Sequence, residues 1–300
     1  MASIQIVEVS ARDGLQNDSA RLSTGQKVEL IQRCADAGLR RVEVASFVNP
    51  KLVPQMADGE AVVAGVRTGV PGPASWIGLV LNTRGFHRAA DAGVDEVNCV
   101  VSVTDEFSRA NQGMSTDEAV AVVAEVVPLA RAAGITPTVT LSVAFGCPFS
   151  GEVSVDRLRR VVEAVAGTGV AEVAIADTIG VGVPRDVGER VAAVRQVIGD
   201  LPLRAHFHNT RNTGYANALA AAEAGVSVLD ASLGGIGGCP FAPRATGNIA
   251  TEDLVNALHR SGFDTGVDLD AAIRASQWLG EQLGRELPAY LPKAGPFPSS

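Results

Sequence analysis

Short apolar runs rich in Val and Ile alternate along the chain with longer Ala-rich stretches of helical period. Eight runs are strand candidates, at residues 4–10, 40–46, 75–81, 95–103, 136–145, 171–177, 203–209 and 226–233. Several are apolar on both faces, as parallel strands covered by helices must be. The stretches between them predict helices, among them 24–37 and 116–133, and Ser115 with Glu118 predicts a capping box at the start of the second. A weak repeat punctuates the pattern. Ala37-Gly38-Leu39, Ala92-Gly93-Val94, Ala133-Gly134-Ile135, Thr168-Gly169-Val170 and Ala224-Gly225-Val226 each read as a helix closing on glycine before a strand begins. Eight alternating units predict an α/β protein folded as a (β/α)8 TIM barrel, and the repeat count alone leaves an open doubly wound sheet as the alternative. The expected organisation is a catalytic barrel over residues 1–263. A small C-terminal helical extension packs on it over 264–300, with a Pro-rich, loosely ordered end from 292.

Composition narrows the partners. With 300 residues and 46% hydrophobic content the chain can bury one large core. A net charge of −8, few aromatics and no basic run argue against nucleic acid. No apolar run reaches the ~18 residues of a membrane span, so no membrane partner is expected. The N-terminus lacks the basic and apolar regions of a signal peptide, and Cys34, Cys99, Cys147 and Cys239 form no CxxC pair. These features are read as a cytoplasmic protein with free thiols. A homo-oligomer, dimer or larger, is left open.

In such a barrel the chemistry sits at the C-terminal ends of the strands. The first strand runs into Ser10-Ala11-Arg12-Asp13-Gly14, where Arg12 and Asp13 face the mouth or form an ordinary surface pair. Glu43 lies among β-branched residues in the second strand. A buried carboxylate needs a partner, and Arg12 is the neighbouring candidate. Asp177 leaves the sixth apolar run, as an acid of the site or as a cap for the next turn. In the seventh, His206 and His208 are two residues apart and so share a face, which suits a divalent ion. His87 and His259 stand alone on helical stretches and are read as structural. After the eighth strand, Gly234-Gly235-Ile236-Gly237-Gly238-Cys239 does not fit GxGxxG in any register. It is read as a glycine-rich loop carrying a thiol over the mouth. Asn248 follows, and its amide oxygen would complete a metal set with Asp13, His206 and His208. Mixed N and O donors favour Mg²⁺ or Mn²⁺, and ligand type leaves Zn²⁺ open.

These motifs resemble the 3-hydroxy-3-methylglutaryl-CoA lyase family over nearly the whole chain. The matching segments are Val7-Glu8-Val9 with Arg12-Asp13-Gly14-Leu15-Gln16-Asn17, Val42-Glu43-Val44-Ala45-Ser46-Phe47-Val48, Pro54-Gln55-Met56-Ala57-Asp58, Gly146-Cys147-Pro148-Phe149, Asp177-Thr178-Ile179-Gly180-Val181-Gly182 and Gly237-Gly238-Cys239-Pro240-Phe241-Ala242. The resemblance implies Asp13, His206, His208 and Asn248 as metal ligands and Arg12 as the residue stabilising an enolate oxygen. It implies Glu43 and Asp177 as active-site acids and Cys239 as the catalytic thiol, and Asp13 or His206, near the metal, is the candidate base. The implied substrate is an acyl-CoA thioester, cleaved by a retro-Claisen reaction. One departure is notable. The family continues His-x-His with Asp-Thr-Tyr-Gly-Gln, whereas this chain reads Asn209-Thr210-Arg211-Asn212-Thr213-Gly214. A changed substrate pocket or metal surround is expected from it, so a related lyase or condensing enzyme on another acyl-CoA or 2-oxo acid is the second reading. A catalytically silent binding subunit is the third.

Overall fold

The computed structural model describes residues 2–69, 74–238 and 247–297. Eight strands, all parallel, close into a barrel: β1 (Gln5–Glu8), β2 (Arg41–Ser46), β3 (Ser75–Val80), β4 (Glu96–Ser102), β5 (Thr136–Ser142), β6 (Glu172–Asp177), β7 (Leu203–Phe207) and β8 (Val228–Ala231). Each pairs with its sequence neighbours and β8 pairs with β1, so closure excludes the doubly wound alternative. The strands are shorter than the apolar runs that predict them. Where the excess falls at a C-terminal end it joins the loops at the mouth. Residues 9–14 leave β1 through a π-helical turn, Ser10–Gly14, and His208 falls one residue beyond β7.

The helices follow from local pattern. Helix Val155–Ala166 buries Leu158, Val161, Val162 and Val165, one stripe at helical spacing, and Ser154 caps it by accepting from Arg157 N–H. The predicted capping box at Ser115 and Glu118 is formed. All five repeat glycines take left-handed φ values, between +73° and +91°. Gly38 shows why the residue is required: after Gly38 N–H reaches Ala35 O, a Cβ would lie 2.5 Å from the Gly266 carbonyl oxygen. Beyond the eighth unit, helix Leu269–Leu283 lies against helix Thr24–Asp36, with Gln26 Nε2 donating to Gln282 Oε1 at 2.8 Å and Arg33 over the Trp278 ring. No helix among the described residues is long and apolar enough to cross a membrane.

Two apolar clusters result. The large one fills the layer between strands and helices, while Val7, Val9, Ile77 and Val228 form a small separate one. Val7 is in register with Arg41 and Asp230, and Ile77 with Glu43 and Glu96, so these residues share the barrel interior. That interior carries a charged network instead of aliphatic layers alone. Arg41 bonds Glu96 and Glu172, and Arg204 lies 3.4 Å from Glu172 and 3.5 Å from Asp230. Burying such groups is tolerable only because each faces an opposite charge.

Gly134 and Gly38 allow a graded test. Gly134 faces open space, so Gly134→Ala should cost about 1–2 kcal/mol for the left-handed backbone alone. Gly38→Ala should cost more because the backbone of Gly266 must also move. Urea unfolding of both variants measures the difference.

Candidate metal centre and active site

The π-helical turn after β1 presents Arg12 and Asp13 side by side. Such insertions recur at functional sites because they redirect side chains without ending the chain's hydrogen bonding. The Arg12 guanidinium is held from two sides. Its Nε donates to Glu43 Oε2 at 2.6 Å, its Nη2 pairs with the same oxygen, and its Nη1 donates to Asp13 Oδ1 at 2.7 Å. Glu43 is almost wholly buried and takes a further bond from Asn98 Nδ2 at 3.2 Å.

Across the mouth, the β7 end brings His206 and His208 together with ring centroids 5.1 Å apart. His208 lies outside the strand proper, in an isolated antiparallel bridge to Asn248. That bridge depends on glycine. A Cβ on Gly247 would collide with the Gly237 carbonyl, and one on Gly237 would lie 2.6 Å from Asn248 Nδ2. The close approach seats the Asn248 amide, whose Nδ2 donates to Asp13 Oδ2 at 2.8 Å and to Ile236 O at 3.0 Å.

Ligand atoms of Asp13, His206 and His208 all lie within 4.8 Å of one another, so the three can hold a metal ion. The donor set fits one. Asn248 Oδ1 and His208 Nδ1 are buried without a hydrogen-bond partner, as atoms waiting on a cation would be. His206 Nδ1 meets Asp230 Oδ2 at 3.2 Å, an outer carboxylate orienting the imidazole. Electrostatics agree. Burial raises the Asp13 carboxyl, but Arg12 and then the two histidines outweigh it and hold it below the usual carboxylate range. Burial, with His206 beside it, pushes His208 down to about 3, so that ring is neutral and able to bind metal throughout the physiological range. His206 is opposed by burial yet raised overall by Asp230.

Arg12, Asp13, His206, His208 and Asp230 line a cavity of about 290 Å³ with Asn98, Thr140, Ser142, Leu52 and Phe107, and Gly238 reaches its rim. Asp177 does not line it. Its carboxylate accepts from Val181 N–H at 3.0 Å and Gly182 N–H at 2.9 Å, capping the loop after β6. Cys239 lies outside the described residues. The other three cysteines are free and buried. His87 packs edge-on to Phe86 and His259 lies 2.8 Å from Thr265 Oγ1, both away from the cluster.

Of the two changes expected from Asn209 and Arg211, in the pocket or in the surround of the metal cluster, the first is not seen: neither residue is among the described residues that line the cavity, while Asn209 N–H donates to Gly247 O at 2.8 Å, beside Asn248. Arg211 is exposed and clamps the carbonyls of Ile179 and Gly180 at 3.0 Å each, while Asn209 Oδ1 accepts from Gly214 N–H at 3.1 Å. A guanidinium can satisfy carbonyls at the barrel rim, and an Asn can cap a helix, without either entering the mouth. The sequence reading also missed Arg204, Asp230, Glu8 and Glu252. The i, i+2 spacing that joins His206 to His208 also places Arg204 inward, and Glu8 and Asp230 sit in apolar runs just as Glu43 does.

An HMGL-like family model matches residues 3–279. The chain belongs to the HMGL-like family. It is 44% identical to (R)-citramalyl-CoA lyase of Chloroflexus aurantiacus, over 99% of this chain and 96% of that one. The mitochondrial hydroxymethylglutaryl-CoA lyase of Mus musculus is 39% identical, over 97% and 89%. Among solved structures, the Bacillus subtilis HMG-CoA lyase superposes with a TM-score of 0.93 at 34% identity, covering 96% of each chain. An HMG-CoA lyase from Acinetobacter baumannii, in complex with coenzyme A and 3-methylmalate, gives 0.93 at 39%, covering 99% of this chain and 97% of that one. As a member of this family the chain is a carbon–carbon lyase.

In this HMGL-like barrel the turn between β8 and residue 238 is tied down by two buried carboxylates. Glu8 accepts from Leu233 N–H and Thr251 Oγ1–H, and Glu252 from Gly234 N–H. Burial pushes the Glu252 carboxyl up to about 8, against the lowering by its bonds from Ser276 and Gly234. The unfolded carboxyl loses its proton near 4.5, so the folded state binds more protons between these values and stability falls as pH rises through the interval. Glu252→Gln keeps an acceptor for Gly234 and should flatten that decline. Denaturant unfolding from pH 4 to 9 measures it.

Proposed function

We propose that the chain is a divalent-metal-dependent lyase. It cleaves the C2–C3 bond of a 3-hydroxy-3-methylglutaryl-CoA-type thioester by a retro-Claisen reaction, and releases acetyl-CoA and acetoacetate from the parent substrate. The observation that carries this reading is the convergence of Asp13, His206 and His208 with Arg12 on one cavity, with the unpartnered oxygen of Asn248 on the amide that bonds Asp13. The names of the relatives, and coenzyme A in the Acinetobacter baumannii structure, support a CoA thioester as substrate.

Asp13, His206, His208 and Asn248 would hold the ion, Mg²⁺ or Mn²⁺ by donor type. A cation bound there supplies Lewis acidity to the 3-hydroxyl and carboxylate oxygens. The hydroxyl proton passes to Asp13, which borders both the cluster and Arg12, because His206 is engaged at Nδ1 by Asp230 and turns its other nitrogen to the cluster. As C2–C3 breaks, its electron pair moves into the thioester and Arg12 donates to the enolate oxygen. Glu43 and Asp13 hold the guanidinium in place before charge develops, so little reorganisation is needed. Cys239 follows cavity-lining Gly238 in the chain and delivers the proton that converts the enolate to acetyl-CoA. Asp177 contributes by bracing the loop from Thr178 to Gly182.

The 44% identity to a citramalyl-CoA lyase favours a second reading, in which the substrate is one methylene shorter and the keto product is pyruvate. A methylene in such a pocket is worth about 1–3 kcal/mol, so one substrate should lead the other by roughly 10–200-fold in kcat/KM. Assays of both thioesters, following acetoacetate and pyruvate separately, decide between them. Activity on either should disappear with a chelator and return with Mg²⁺ or Mn²⁺. Full activity in chelator, or in Cys239→Ala, would overturn the mechanism. Arg12→Met should lower kcat by about 10²–10³ with little change in KM, because its bond to the enolate exists only as charge develops.

A further inference from the structure

Inside the barrel a chain of polar contacts leads to His206 from the side opposite the cavity opening. We propose that Asp230 and Arg204, on β8 and β7, are positioning residues that fix which nitrogen His206 turns toward Asp13 and His208. The inference rests on the metal reading of that cluster.

Asp230 is in register with His206 across the β7–β8 pair, and Val228 with Arg204, so both side chains face the same interior. Asp230 Oδ2 lies 3.2 Å from His206 Nδ1. An ionised carboxylate only accepts, so this contact keeps the hydrogen on Nδ1 and leaves the Nε2 lone pair for the cluster. The other carboxylate oxygen lies 3.5 Å from Arg204 Nε. Arg204 is itself fully buried, with its Nε also 3.4 Å from Glu172 and its Nη2 donating to Thr140 Oγ1 at 3.1 Å. The contacts continue. Thr140 donates to Asn98 Oδ1 at 3.1 Å, and Asn98 donates to Glu43, which holds Arg12. One buried run of side chains thus sets both the imidazole and the guanidinium.

Asp230→Asn keeps the volume, and Arg204 keeps Glu172 as a partner. The new amide would turn its oxygen to Arg204 and its N–H to His206 Nδ1, which moves the ring hydrogen to Nε2. Two measurements follow. With four histidines in the chain, long-range ¹⁵N–¹H spectra of the metal-free protein at alkaline pH can assign each ring tautomer. His206 should carry its hydrogen on Nδ1 in the wild type and on Nε2 in Asp230→Asn. Calorimetric titration with Mn²⁺ alone should then show affinity weakened by about 10–100-fold. Arg204→Lys keeps a cation beside Asp230 and should retain the wild-type tautomer with a smaller loss of affinity. It also serves if Asp230→Asn fails to fold. Glu96→Gln disturbs the same ion network at Arg41 without touching Asp230, so it should lower stability and leave both readouts unchanged. An unchanged tautomer and Mn²⁺ affinity in folded Asp230→Asn would overturn the proposal, as would Glu96→Gln matching Asp230→Asn in both readouts. A wild type that binds no Mn²⁺ would overturn the metal reading beneath it, leaving the tautomer measurement to judge the positioning role.

Discussion

A guanidinium cannot be buried without a counter-charge, and the structure turns on how Arg12 meets that constraint. Glu43 from β2 and Asp13 from its own turn enclose it, and each acid has a second obligation. Glu43 takes an amide from Asn98 on β4, and Asp13 takes one from Asn248 beyond β8. Four separate parts of the chain are thereby tied to one cation. The cation is held from two sides, and the proposed stabilisation of a developing oxyanion requires such preorganisation.

The same logic extends through the barrel interior. A lumen packed with aliphatic layers would be the more stable solution, since buried ion pairs often barely repay their desolvation. Here Arg41, Arg204, Glu96, Glu172 and Asp230 occupy much of that space, with Val7, Val9, Ile77 and Val228 as a small apolar cluster among them. Directional contacts specify side-chain orientation in a way that Val and Leu cannot. The network ends on His206 at one side and on Glu43 at the other.

The departure after the histidine pair shows how position overrides residue type. An Arg three residues past His208 could enter the cavity. Arg211 instead lies outside it and bonds the carbonyls of Ile179 and Gly180, in the loop that Asp177 caps from within. The structural consequence of the substitution is a staple between the loops after β6 and β7.

By itself the sequence determined the eight βα units, the glycine-closed helices, the capping box at Ser115 and the placing of His206 beside His208. Each of these rests on local periodicity or on a backbone conformation that few residues accept. It also marked Glu43 as a buried acid in want of a cation, because a carboxylate inside an apolar run has few alternatives. Only the tertiary structure decided that the barrel closes, since closure is a pairing of β1 with β8 across more than two hundred residues. Only it decided that Asp177 turns to backbone N–H groups, that Arg211 turns outward, and that Asp230 and Arg204 converge on His206. Those outcomes depend on strand register and on the direction a side chain takes where its strand ends, and neither is written in the spacing of residues along the chain.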